Sequence, residues 1–254
     1  MELELKKECL DTYELGEPQT LTQEETAETI VPDYCPDIAR IISAEGVVCL
    51  HGGTEQDGVT GTVRVTVLYT PENESGVRAL EFAMPFSAQG EGLAGCAHVV
   101  VETEIELLES RMLNPRKIFT RCKLVTHLAG CRKVCLTISS DAETDPALLV
   151  EKRCCGQTVS LLRQVAEKDL TFSETMSLSL GREGAAELLH CRANGIVTET
   201  KAIGNKLIFK GVFLVSALYR TIGGQLASAS AELPFSQIME TDSTEENTQV
   251  SMRL

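Results

Sequence analysis

The sequence predicts an all-β protein with short helices. It reads as a tandem repeat of antiparallel β-sandwich or partly open barrel modules, the second copy incomplete. Three observations carry that expectation. "GTVRVTVLY" at Gly61 to Tyr69 returns as "GVFLVSALY" at Gly211 to Tyr219, a shift of 219 − 69 = 150. "MPFS" at Met84 to Ser87 returns as "LPFS" at Leu233 to Ser236, a shift of 236 − 87 = 149. Several further runs alternate apolar and polar residues with period two, the pattern of a strand with one wet face.

The elements follow in order. The segment "ECLDTYELGEPQTLTQEET" from Glu8 to Thr26 reads as an extended arm. In "PDIARIISAEG", Ile38, Ile41 and Ile42 stand at i, i+3 and i+4 behind Pro36, which predicts a short helix. Its counterpart "AAELLHCRANG" (185–195) reads as a second short helix ending at glycine. "SAEGVV" and "RANGIV" put Gly46 and Gly195 at 195 − 46 = 149, and "AETIVP" at Ala27 faces "SETMSL" at Ser173 at 146. After the PFS phrase the first copy continues. His98 to Ser110 puts Val99, Val101, Thr103, Ile105 and Leu107 on one face and Glu102, Glu104 and Glu106 on the other. "NPR" at Asn114 to Arg116 marks a turn, and Lys117 to Leu128 places Ile118, Thr120, Cys122, Leu124 and Thr126 on one side. Arg132 to Ser139 follows, and the short connections predict antiparallel pairing.

The second copy is expected to stop inside the strand that matches His98 to Ser110, since "QVSMRL" at Gln249 to Leu254 aligns at 250 − 101 = 149. On that reading the chain is a fragment. Gln249 to Leu254 would then leave an open sheet edge through which copies self-associate. Between the copies, Ser140 to Lys168 opens with an acidic loop, and its "CCGQTVSLLRQVAEKD" reads as a second extended arm. Val159, Leu161, Leu162 and Val165 leave a helical alternative. The expected division is therefore 1–140 as the first module with its arm, 141–170 as linker or arm, and 171–254 as the second module.

Composition narrows the function classes. A formal net charge of −14 opposes binding to nucleic acid or anionic lipid. No apolar run approaches the ~20 residues that span a bilayer, and the charged start "MELELKKECL" has no secretory h-region. Tryptophan is absent and aromatics make up 4%, so platforms for stacking sugars or bases are scarce. The 10 cysteines, without a visible signal peptide, read as buried small hydrophobes, with no intramolecular disulfide and no zinc expected in protein kept reduced.

No residue is assigned a catalytic, cofactor-binding or metal-binding role. Cys131 and Cys135, with Cys122 and His127 nearby, offer one knuckle where a structural zinc site normally needs two. Adjacent Cys154 and Cys155 read as free thiols. His51, His98, His127 and His190 are scattered, with no nucleophile motif beside them. "HGG" at His51 to Gly53 reads as a hairpin turn, and "GREG" at Gly181 to Gly184 lacks a P-loop lysine. Glu24–Glu25 and Glu245–Glu246 read as solvated. Asp33 and Asp37 in "VPDYCPDI" are either calcium ligands or, preferred, cap and dipole partners of the Ile38 helix. Arg111 and Arg116 are expected to be ordered cations that pair with strand carboxylates or a neighbouring unit.

The phrases "ETIVPDYCPDIARIISAEGVV", "GTVRVTVLYTPENESG", "MPFS" and "ESRMLNPRKIFTRCKL" resemble the SPOCS domain of SipL-like proteins of endospore-forming bacteria. The first copy carries the fuller set, over about 28–138. The second matches in "GIV", "GVFLVSALY" and "LPFS" and departs where "GREGAAELL" replaces "VPDYCPDIA". Family members often end in a LysM module, and no such segment is visible here. The resemblance implies spore coat assembly on the mother-cell side of the forespore, in the cytoplasm, with other coat or morphogenetic proteins as partners. The expected function is non-enzymatic protein–protein contact. A carbohydrate- or cell-wall-binding module is the alternative, and a hydrolase with Ser or Cys beside His comes third.

Overall fold

The computed structural model describes residues 4–51, 58–143, 151, 153, 156, 158–168, 171, 173, 175, 184–241 and 248–252. They form ten strands in three antiparallel sheets, with no closed barrel. The expected all-β class holds, and the short helices do not form among the described residues.

In the first unit, β3 (Ile38–His51), β4 (Gly58–Pro71) and β5 (Arg78–Gln89) make one sheet with β4 at its centre. Opposite lies a second sheet centred on the long strand β7 (Lys117–Glu143), paired on one edge with β6 (His98–Asn114). On its other edge run β1 (Glu4–Leu15) and β2 (Gln19–Ile30). Leu15 pairs with Cys131 and Gln19 with Leu128, so β1 and β2 are one extended arm broken only at Gly16–Pro18. The two sheets bury Val31, Ile38, Val63, Val65, Val67, Tyr69, Leu80, Met84, Phe86, Ile118, Cys122 and Leu124 between them. This is a β-sandwich, with alternate residues of each strand turned inward. Thr120 and Thr126 sit fully inside. Each is satisfied across the strand pair, by Ser110 at 2.8 Å and Thr103 at 3.1 Å.

The helix expected at Ile38 is strand β3, and the physical reason lies in its bulges. The register slips between Ile38 and Arg40 and again between Ile41 and Ser43. Each bulge inserts one residue, so the inward positions fall at Ile38, Ile41 and Ala44, opposite Pro71, Tyr69 and Val67. Spacing by three imitates a helical period. The same happens in β8 (Ala185–Ile203), with slips between Ala185 and Glu187 and between Leu188 and His190. The helix expected there is also a strand. One smaller expectation shifts in β6: a bulge at Glu106 turns Leu108 rather than Leu107 onto the core.

The second unit is the three-stranded sheet β8, β9 (Lys206–Thr221) and β10 (Leu226–Glu240). Its register copies that of β3–β4–β5. Tyr69 lies between Ile41 and Arg78, and Tyr219 lies between Leu188 and Ala227. Both tyrosines are buried. Gly61 faces Phe86 and Gly211 faces Phe235. Along the first strand, however, the structural shift is 188 − 41 = 147, and the two bulges coincide at that shift. Gly46 therefore corresponds to Ala193, not to Gly195. A Cβ at Gly46 would meet Ile105 Cδ1 at 2.7 Å and Leu108 Cδ2 at 3.1 Å, both from the covering strand β6. Ala193 tolerates a side chain because no described strand covers β8 in that way.

The prolines of the repeated phrase take the same place. Pro85 pairs with Thr62 on β5, and Pro234 with Val212 on β10. Both strands are sheet edges, where a residue without an N–H blocks outward pairing.

Gln249 to Leu254 does not behave as expected. Residues 249–252 take no strand conformation, and 253–254 lie outside the described residues. In the first unit the matching strand β6 pairs only with β7. The described second unit contains no counterpart of β7, so this segment has nothing to pair with. The same reasoning covers the second arm. Residues 158–168 form neither helix nor strand, apart from one bridge from Leu162 to Tyr13.

Candidate interaction site

The most organised non-strand feature of the first unit is the loop Val31–Asp37, "VPDYCPD", at the end of the sandwich. Pro32 and Pro36 fix the backbone, and Cys35 N–H donates to Pro32 O at 2.9 Å to close a tight turn. The β6–β7 turn clips both ends of the loop: Val31 N–H donates to Arg116 O and Ile38 N–H to Pro115 O, each at 2.9 Å. The Tyr69 hydroxyl donates to Pro36 O at 3.3 Å from beneath. The Arg116 guanidinium fills the middle. It donates to Val31 O and Cys35 O at 2.8 Å each, to Asp37 Oδ1 at 3.0 Å and to Asp33 Oδ1 at 3.1 Å. A planar fork with five donors suits four acceptors placed around it. The result is a rigid loop with Tyr34 at its tip, 88% exposed.

This arrangement corrects the reading of Asp33 and Asp37. No helix follows them, so they cap nothing. Both carboxylates face a guanidinium, which holds the place a calcium ion would need. Arg116 is the ordered cation expected, but its partners are loop carboxylates and carbonyls rather than strand residues or a neighbouring unit. Arg111 stands over the Phe119 ring instead, 4.8 Å from its centroid.

The histidines are dispersed. His51 Nε2 lies 2.7 Å from the Thr62 hydroxyl, and His127 Nδ1 lies 3.0 Å from that of Thr20. The His98 ring packs near Tyr13 at 5.9 Å, and His190 Nε2 lies 3.2 Å from Glu45. Cys131 stands opposite His98 in register. Burial, with Cys96 close by, raises the Cys131 thiol pKa, so it stays protonated and a poor nucleophile. Among the described residues no group of three or more His, Cys, Asp and Glu side chains converges as a metal site would require. Glu24 pairs with Arg121 at 2.7 Å. Cys154, Cys155, Gly52, Gly53, Gly181 to Glu183, Glu245 and Glu246 lie outside the described residues.

The cysteine expectation changes at two points. Of the free cysteines described, only Cys122 and Cys131 are buried, while Cys35, Cys49 and Cys96 are half-buried and Cys191 is exposed. Cys9 and Cys135 form a disulfide with a Cα–Cα distance of 5.6 Å. It ties β1 to the far half of β7, beyond the end of β6, where the two strands make a ribbon with no third strand beside them among the described residues. Two-stranded ribbons are marginal without further support, which is the physical role of this bond. It also separates Cys135 from Cys131, the two members of the Cys-x3-Cys spacing. Protein purified without reductant should titrate two fewer thiols when denatured than the 10 found after full reduction. Equal counts would remove the disulfide.

Two buried groups set an alkaline limit. Burial, with the Cys35 thiol adjacent, pushes the Tyr69 hydroxyl up to about 12, and burial near Glu25 pushes the Cys122 thiol up to about 11. Both are held neutral in the fold and ionise earlier when unfolded. The stability they supply is complete only below pH ~8 and is lost as pH rises toward 12. Urea midpoints measured at pH 8, 10 and 11 should fall, and Tyr69→Phe should flatten the part above pH 10.

Among the described residues no helix is long and apolar enough to cross a membrane. No curated protein and no solved structure matches the chain. A family model described as "SipL, SPOCS domain" matches residues 185–254. That match lies on β8, β9, β10 and the residues after them, whereas the fuller set of phrases stands in the first unit. The second unit is thus a match to the SPOCS domain of the SipL family, the family the sequence phrases resemble.

Proposed function

We propose that this chain is a non-enzymatic structural protein of sporulation that acts through protein–protein contact in spore coat assembly. The single observation that carries the reading is the SPOCS-domain match over residues 185–254. The architecture agrees with it. Two sheets of shared register, joined in one chain, present strand surfaces and a rigid loop. Rigid exposed aromatics such as Tyr34 lose little entropy on docking, which is why they serve as anchors in interfaces.

The partner is a coat or morphogenetic protein on the mother-cell side of the forespore. A fluorescent fusion followed through sporulation tests the reading. It should accumulate only after sporulation begins and gather at the forespore surface. Diffuse signal throughout, or expression confined to vegetative growth, overturns it. Affinity capture from sporulating cells, followed by reconstitution with the purified candidate, identifies the partner.

A further inference from the structure

The contact between the two units centres on one carboxylate. Glu187, on β8, accepts hydrogen bonds at a single oxygen, Oε2, from Arg78 of β5 at 2.7 Å and from Arg220 of β9 at 2.8 Å. Arg78 belongs to the first unit and Arg220 to the second. Arg78 also pairs with Glu74, in the turn before it. The neighbouring turns meet there: a Cβ at Gly76 would lie 3.6 Å from both Arg220 Cδ and Gly224 O. The side chains are sheltered but not sealed, with Arg78 21%, Arg220 24% and Glu187 37% exposed. A second polar contact, His190 Nε2 to Glu45 at 3.2 Å, joins β8 to β3. Beyond these, the connecting segment touches both units, and the Thr12 hydroxyl donates to Leu162 O at 3.0 Å. Tyr13 N–H donates to Leu162 O at 2.8 Å, and Lys168 Nζ to Ile238 O at 3.2 Å. Neither of the hydrophobic clusters formed by the described residues, Val31 to Leu124 and Val59 to Leu128, includes a residue of the second unit.

We infer that Glu187 is the keystone of an electrostatic hinge, which holds the two units at a fixed angle and releases them when its charge is removed or screened. The geometry makes this switch-like. With Glu187 in place, two guanidinium groups converge on one anion. Without it, the same two cations face each other across the junction and repel. A joint held by ion pairs, with no hydrophobic cluster of the described residues running through it, opens as a unit rather than unfolding either sheet. Partly exposed ion pairs are weakened by salt, so the hinge responds to ionic strength. The inference concerns the junction within the chain and stands apart from the proposed role in the coat.

Small-angle scattering of the full chain, at about 20 mM and about 500 mM salt, reads the hinge directly. The wild-type protein should be compact at low salt and show a larger radius of gyration and a longer maximum dimension at high salt. Glu187→Arg should be open at both. The combined variant Glu74→Arg, Arg78→Glu, Arg220→Glu, Glu187→Arg reverses every sign in the cluster and should close again at low salt. Proteolysis within residues 158–168 should quicken roughly three- to tenfold in Glu187→Arg and return in the combined variant. Circular dichroism at each step shows that the sheets persist. Glu187→Arg scattering like wild type at both salts overturns the inference. So does failure of the combined variant to close, or a wild-type profile independent of salt.

Discussion

Replacing Gly211 by alanine should destabilise the second unit by about 2–3 kcal/mol, and Gly61→Ala should do the same to the first. Neither glycine is needed for an unusual backbone angle. Each is needed because something lies where a Cβ would go. At Gly61 an added Cβ would meet Phe86 Cζ at 2.5 Å and Cys49 O at 2.9 Å. At Gly211 it would meet Ile196 O at 2.2 Å and Phe235 Cζ at 2.5 Å. Each phenylalanine ring lies across the glycine of the central strand and closes one end of the sheet's inner face. The two sites differ in what can yield. At Gly61 the worst collision is with a ring, so Phe86→Leu should recover part of the loss. At Gly211 it is with a backbone carbonyl of the neighbouring strand, so Phe235→Leu should recover much less. Urea unfolding followed by circular dichroism, in a double-mutant cycle at each site, measures this. Equal rescue at the two sites would show that the backbone contact is not limiting.

Arg116→Ala should cost about 3 kcal/mol and free the Val31–Asp37 loop. The change removes four hydrogen bonds at once and leaves two carbonyls and the partly covered Asp37 without their donor. Lysine keeps the charge, but a single ammonium cannot serve four acceptors arranged around a plane. Arg116→Lys should therefore retain less than half of the difference. The loss is not an ordinary surface salt bridge. Asp33 is fully exposed, so Asp33→Asn should change stability by only a few tenths of a kcal/mol. Asp37→Asn should cost more, because that carboxylate is half-covered and the strand β3 begins beside it. Proteolytic cleavage within the loop should rise in Arg116→Ala. A wild-type urea midpoint and a wild-type cleavage rate together would refute the clamp.

The sequence by itself determined the fold class and most strand faces, and it carried the repeated phrases that lie at matching register positions in two sheets. Period-two alternation is a direct physical consequence of the pleat, so Ile118, Thr120, Cys122, Leu124 and Thr126 were legible as the inner face of β7. The repeated glycine and PFS phrases were legible because the same local constraint holds in both copies: a ring over a glycine and a proline on an edge. The family resemblance was legible for a related reason, since those phrases encode strands and turns rather than a reaction.

Only the tertiary structure decided the rest. Bulges changed the spacing of Ile38, Ile41 and Ala44 from two to three, and local pattern alone cannot tell that from a helix. Pairing register, not sequence similarity, decided that Gly46 corresponds to Ala193, because the requirement for glycine comes from Ile105 and Leu108 on another sheet. The partners of Arg116, Cys9 and Glu187 were invisible for the same reason. Arg116 meets Asp33 from 83 residues away, Cys135 meets Cys9 from 126, and Arg78 meets Glu187 from 109. A charge or thiol carries no periodic signal of its own. Its partner is chosen by how the sheets stack, and stacking is settled only when the buried faces close on each other.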